Sequence, residues 1–256
     1  MKYFLALMTF AGSTMISTLM AAPHKEEMVL VAGATGGTGQ LIVKALLEKG
    51  YPVRAFVRNA TKAQILFADE VEIVVGDVRD TKQVEQAMQG VKYLFSAIGA
   101  RTQDDADPNS GQYVDYLGTR HLVEAARKQD VQQIIVISSA GLSRSVFKES
   151  AKQRPILKWK LRGEQSVKGS QIPYTIIRPG GLSDTAGGKM GVRATQGNYR
   201  RAMIPREDVA KVSVAALKNP AAYGKTFEIV SDDQAAPVTD WDAFYSVIQP
   251  DSAIIP

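Results

Sequence analysis

From Met28 onward, short unbroken apolar runs alternate with longer stretches in which apolar residues recur three and four positions apart. A brief apolar run bounded by turn formers reads as a buried strand, and three-four spacing reads as a helix with one face on a core. The runs at 29–32, 51–58, 71–78, 91–100, 133–139, 173–178 and 226–230 therefore predict strands, and 40–48, 81–88, 112–128 and 238–248 predict helices, with a further helix starting within 204–210. Asp80 or Thr81 caps the helix at 81–88, and the helix at 112–128 carries its apolar residues at 114, 117, 122, 125 and 126. Strand and helix in alternation need a right-handed crossover for each new strand, which makes the sheet parallel. The expectation is one α/β domain over residues 28–256, a doubly wound parallel sheet with helices on both faces and a small C-terminal region on the substrate side.

The first strand breaks into Gly33-Ala34-Thr35-Gly36-Gly37-Thr38-Gly39 before the first helix begins. Gly33 permits the turn, Gly36 removes the side chain that would block a diphosphate, and Gly39 lets the helix lie close on the strand. The helix start then aims free N–H groups and its positive end at an anion. A glycine-rich hairpin would need a second strand next, and residues 40–48 do not alternate. Strand before and helix after make this stretch, Thr35, Gly37 and Thr38 included, a Rossmann-like dinucleotide cradle. The second strand ends at Arg58, about 20 residues further on, where an acid would select NAD. A guanidinium fork there suits a 2′-phosphate, with Asn59 and Lys62 as helpers, so NADP is favoured over NAD; a solvated strand-end arginine is the plain alternative. Asp77 and Val78 end the third strand beside the adenine, and Ala97, Ile98 and Gly99 form a small-residue turn that the cofactor can approach closely.

Ser138 and Ser139 close a buried strand where an active-site hydroxyl would sit, although serines also end strands as turn formers. The polar loop 101–111 and the glycine-rich segment 184–198 stand where substrate contacts and a flexible cover are expected. A net charge of +5 is spread among acids with no basic run and no aromatic platform, which argues against nucleic acid. The absence of cysteine excludes a disulfide scaffold, thiol catalysis and cysteine-ligated metal. With only His24 and His121, a histidine zinc site or a Ser-His-Asp triad is not expected, and His121 reads as a packed helix residue.

Residues 1–27 stand apart. Lys2 followed by an apolar run to Ala22 looks like a signal or membrane-anchor segment. The competing reading starts translation at Met20 or Met28. The first places the protein outside the cell or on a membrane; the second places it in the cytoplasm or an organellar stroma or matrix. Either way the segment is expected to stay out of the fold.

The glycine spacing, Arg58, Asp77-Val78, Asp115-Tyr116-Leu117-Gly118-Thr119, Ser138-Ser139-Ala140-Gly141, Trp159-Lys160-Leu161-Arg162-Gly163-Glu164-Gln165 and Pro173-Tyr174-Thr175-Ile176-Ile177-Arg178-Pro179-Gly180-Gly181-Leu182 together resemble the atypical short-chain dehydrogenase/reductases, NAD(P)-binding and NAD-dependent epimerase/dehydratase-like. Within them the subgroup holding biliverdin/flavin reductases and chloroplast translocon-associated proteins is most similar, over residues 28–250. The resemblance implies that Lys160 holds the cofactor ribose, that Ser138 or Ser139 offers a hydroxyl, and that Pro179 and Gly180 run beside the nicotinamide. It also implies a tyrosine one helical turn before the lysine as proton donor, and Ile156 stands there instead. Tyr113, Tyr116 and Tyr199 are candidate replacements in principle, and nothing in the sequence places any of them over a nicotinamide. Asp115 replaces the family's more usual asparagine, and Asp208 is implied to be a structural carboxylate at a helix start. The implied activity is reduction of a flavin, quinone or similar small-molecule acceptor, whose ring takes hydride while solvent supplies the proton. The alternative is a non-catalytic NADP-binding redox sensor or scaffold, and a nucleotide-sugar epimerase ranks third because that chemistry uses the missing tyrosine. No metal is implied.

Overall fold

The computed structural model describes residues 26–144, 147, 148, 154, 156–199 and 201–251. The reading of residues 1–22 as a leader lies outside them. Six parallel strands follow one another: β1 (Val29–Ala32), β2 (Val53–Val57), β3 (Glu72–Val75), β4 (Tyr93–Ser96), β5 (Gln133–Ile137) and β6 (Tyr174–Pro179). β7 (Gly181–Ser183) and β9 (Met203–Pro205) pair separately as a short parallel ribbon. β8 (Gly191–Thr195) and β10 (Lys225–Asp232) complete the main sheet in the order β3-β2-β1-β4-β5-β6-β10-β8. The helices among the described residues are α1 (Gly37–Glu48), α2 (Ala60–Phe67), α3 (Thr81–Met88), α4 (Thr119–Lys128), α5 (Leu157–Lys168), α6 (Arg206–Ala215) and α7 (Trp241–Ser246).

Successive strand residues point to opposite faces, and each face has its own helices. Val29 and Val31 pack with Ile42 and Leu46 of α1, Phe67 of α2 and Val212 of α6, while Leu30 and Ala32 pack with Met88 of α3, Leu122 of α4 and Val167 of α5. Burial on both faces is why β1 carries no polar position. Each fully buried Leu, Ile or Val contributes about 1.5–3 kcal/mol, so the central strands are fixed more firmly than the loops at their carboxyl ends. The order of strands reverses between β1 and β4, and their carboxyl ends open a crevice there.

Several expectations need correction. The strands are shorter than the apolar runs because the run ends turn into loops at the crevice. Residues 184–198 are not simply a cover. They contain β8, which pairs antiparallel with β10 from Thr195 opposite Glu228 to Gly191 opposite Asp232, so the sheet is mostly rather than wholly parallel. Val192 and Ala194 pack on the core beneath, and Arg193 between them bonds Asp232. The helix expected over 112–128 is divided. Residues Gln112–Gly118 form a π-helical segment in which the N–H of Tyr116 reaches back to Gly111, five residues away, before α4 begins. α2 was not expected, and the Asn59 side chain accepts from Lys62 N–H as its cap. Of the two cap candidates for α3, Asp80 is the one that accepts, from the N–H groups of Lys82 and Gln83. The last helix covers only 241–246 of the expected 238–248. Glu27 belongs to the fold: it pairs with Lys218 at 2.7 Å and accepts from the Tyr93 hydroxyl.

Candidate functional site

The glycine stretch has the geometry of an anion cradle. Gly33 has φ +80°, a left-handed value suited to glycine, and a Cβ there would lie 2.7 Å from the carbonyl oxygen of Ala97. A Cβ on Gly39 would lie only 2.2 Å from the oxygen of Gly33, so glycine is required for α1 to touch the turn. Gly36 is the N-cap of α1, offers no side-chain cap, and is followed by a first turn without acids. The opening N–H groups of that helix are thus left for an outside acceptor. A Cβ on Gly36 would meet only the Gly33 oxygen, at 3.2 Å, so the bare backbone there is not demanded by protein packing. The residues present fit a dinucleotide diphosphate.

A cleft of about 570 Å³ runs from this turn along the strand ends. Gly33, Thr35 and Gly36 form its floor. Arg58, Asn59 and Lys62 line one end with Asp77 and Val78 beside them, and Ala97, Ile98 and Gly99 line the other together with Arg101. Gly37, Thr38 and Gly39 follow as the first turn of α1. The Arg58 guanidinium donates to the Asn109 side chain at 3.3 Å, so the loop 101–111 reaches the proposed phosphate reader. Asp77 has a partner that the sequence did not suggest. Burial works against its carboxylate, but hydrogen bonds from Arg79 outweigh that and hold the group below the usual carboxylate range. Both oxygens are engaged by Arg79, at 2.9 and 2.7 Å, before any adenine amino group is considered.

Lys160, on α5, places its ammonium 2.6 Å from Asp115 Oδ1, and Asp115 Oδ2 accepts the N–H of Ala100 at 3.1 Å. The pair is largely buried, with side-chain exposures of 16% and 1%. It borders the cleft: a Cβ on Gly99 would stand 3.6 Å from Lys160 Nζ. The π-helical segment carries Asp115 to this position, and nothing in the residue types singled out the pairing. One turn before Lys160, Ile156 is buried among Leu142 and Leu157, so an apolar side chain stands where the resemblance implies a phenol. Among the substitute tyrosines, the Tyr199 hydroxyl bonds the backbone at Ala202 and Tyr116 stacks on Trp159.

The two serines differ. Ser138 donates its hydroxyl proton to Glu164 at 2.5 Å, and Glu164 also receives Arg178, which bridges to Glu228. Both carboxylates are buried, so this triad is a fixed support under the strand ends. Ser139 accepts from the N–H of Gly141 and caps the short turn Ala140–Leu142, which leaves its own O–H available to donate. Pro179 and Gly180 are absent from the lining of the glycine cleft. Gly180 is required by packing, since a Cβ would come 2.4 Å from the Ala202 oxygen. Asp208 accepts from Gly188 N–H at 2.7 Å and Glu207 from Gly187 N–H at 3.0 Å, stapling the loop before β8 to the start of α6. Burial pushes the Asp208 carboxyl above its usual range despite that hydrogen bond. His121 is packed as expected, with Nδ1 2.9 Å from the Val78 oxygen. Among the described residues no three acidic or histidine side chains group as a metal site, and no helix is long and apolar enough to cross a membrane.

Comparison with known proteins agrees with this geometry. A family model described as NAD(P)H-binding matches residues 33–220. Sanguinarine reductase of Eschscholzia californica is 31% identical, covering 90% of this chain and 98% of its own. The chloroplastic protein TIC 62 of Pisum sativum is 29% identical over 96% of this chain but 51% of its own length. The solved structure of ChuY, an anaerobillin reductase from Escherichia coli O157:H7, is 27% identical with a TM-score of 0.66, covering 80% of this chain and 98% of its own.

Proposed function

Because the chain belongs to the NAD(P)H-binding family of atypical short-chain dehydrogenase/reductases, we propose that it is an NADPH-dependent reductase of a flavin, quinone or similar conjugated small molecule. The observation that carries this reading is the buried Lys160–Asp115 pair at the cleft with Ile156 filling the position of the proton donor. NADPH, when bound, supplies a hydride. Lys160 holds the ribose, Ser139 donates a hydrogen bond to the acceptor, and the apolar wall at Ile156 keeps that side of the acceptor dry. An acceptor whose ring delocalises the incoming electron pair takes its proton from solvent and needs no phenol. Arg58, with Lys62 and Asn59, reads the 2′-phosphate and favours NADP. Sanguinarine reductase and the anaerobillin reductase support reductase chemistry on small molecules. Such a consumer of NADPH works where the reduced cofactor is regenerated, in the cytosol or an organellar stroma.

The test is NADPH oxidation by the purified protein across flavins and quinones, together with binding of both cofactors to Arg58→Glu. Turnover is expected with at least one acceptor. The variant is expected to weaken NADPH about ten- to hundredfold, the value of a charged hydrogen bond, with NADH unchanged. Equal losses for both cofactors would sink the Arg58 assignment. The buried Ile156 also favours a second reading, a redox sensor that binds without turning over. Tight NADP binding, no turnover across the panel and none gained by Ile156→Tyr would establish that reading over the first.

A further inference from the structure

We infer that Arg206 is a second anchor for the diphosphate of the bound dinucleotide, and that Asp184 competes with that diphosphate for the same guanidinium. The inference rests on dinucleotide binding at the glycine cradle and is independent of which acceptor is reduced.

Arg206 is the first residue of α6, and its side chain lies against the first turn of α1: a Cβ on Gly37 would stand 2.8 Å from Arg206 Nε and 3.0 Å from Cδ. Gly37 is therefore the position that admits the guanidinium. Two positive features then converge on one point, the N-terminal end of the α1 dipole and a permanent cation. The helix end is not offset locally, because α1 has no acid in its first turn and no side-chain cap. The counter-charge Arg206 does have is Asp184, at 2.6 Å from Nη1, whose side chain is 88% exposed. An exposed pair of this kind is weak and easily exchanged. Such convergence is unfavourable for the protein alone and favourable around a diphosphate, whose two negative charges meet the helix N–H groups and the guanidinium together. Asp184 begins the loop that Glu207 and Asp208 staple to α6 at Gly187 and Gly188. Exchange of Asp184 for the diphosphate thus frees the start of a loop whose far end stays fixed.

The experiment measures dissociation constants of NADP+, NAD+ and adenosine 2′-monophosphate, the last lacking the diphosphate, by calorimetric titration. Arg206→Gln is expected to weaken NADP+ and NAD+ alike, by about tenfold or more, and to leave adenosine 2′-monophosphate within about twofold. Asp184→Asn, a change at an exposed carboxylate, is expected to tighten both dinucleotides a few-fold, and to have no effect once Arg206 is Gln. The inference is overturned if Arg206→Gln spares the dinucleotides, if it weakens the monophosphate by the same factor, or if Asp184→Asn fails to tighten binding. Wild-type protein that binds no dinucleotide would overturn the cofactor assignment itself and this inference with it.

Discussion

Gly39→Ala and Gly36→Ala, three residues apart, should fail in different ways. At Gly39 the added methyl group would meet backbone atoms only, the oxygen of Gly33 at 2.2 Å and its carbonyl carbon at 2.9 Å. No flexible side chain can yield, so α1 must lift by about 1 Å to restore ordinary contact. Overpacking of a close-packed interior costs about 1–3 kcal/mol, and unyielding backbone puts this site at the upper end. Alanine in place of glycine inside a helix returns roughly 0.5–1 kcal/mol. The net loss is about 2 kcal/mol, or about 4–8 °C in melting temperature at this chain length. At Gly36 the methyl group would touch one atom, at 3.2 Å, and the backbone sits at φ −74° and ψ 162°, which alanine adopts freely. Stability there should change by less than about 1 kcal/mol, while the methyl group occupies the approach to the helix N–H groups and weakens NADPH at least about tenfold. Thermal melts and fluorescence titration with NADPH read both quantities. A Gly39→Ala protein melting with wild type, or Gly36→Ala binding NADPH normally, would refute the assignment of the first glycine to packing and the second to the ligand.

Two further outcomes follow from buried charge. Burial works against the Asp251 carboxylate, but hydrogen bonds from Lys168, Thr226 and Tyr174 outweigh it and hold the group below its usual range. Its contribution to stability is therefore complete above the unfolded value near 3.8 and disappears as pH falls through the lower folded value; urea melts across that window should show Asp251→Asn with a shallower acid limb than wild type. Arg178→Leu leaves Glu164 and Glu228 buried without their cation, at a cost of about 3–5 kcal/mol, which would appear in urea as a fall in midpoint; an unchanged midpoint would mean that the triad bears no net load.

What could be read in the sequence was what lies close together along it. The strand, glycine turn and helix from 29 to 48 are contiguous, and the bounds of α3 were readable because its period and its end fall within eight positions, with the cap narrowed to Asp80 or Thr81. The less legible features join distant residues. β8 is a short alternating strand whose partner lies some thirty residues later, and its two glycine-rich flanks masked it. Lys160 meets Asp115 across 45 positions, and Ser138 meets Glu164 across 26. The π-helical segment left no trace in the periodicity: Val114, Gly118 and Leu122 are buried at even steps of four, and Leu117 is not among the core residues. Asn59 illustrates a competing role, since a residue proposed for the phosphate also caps a helix that periodicity did not reveal. Arg206 was missed because its neighbour is Gly37, a residue with no side chain to suggest a partner.

The reversal of strand order between β1 and β4 divides the labour of the crevice along the chain. In the proposed mode of binding, the glycine turn, Arg58, Asp77 and Val78 hold the adenosine half from within residues 33–78, and the acceptor side is built from Ala97–Gly99, Asp115 and residues beyond 138. Point substitutions in the later stretch, Lys160 and Arg206 excepted, can therefore reshape the acceptor side without loosening the adenosine end. Such a chain can drift between substrates by ordinary mutation, which makes it a ready starting point for laboratory evolution toward new acceptors, with libraries confined to the loops after β5 and β6.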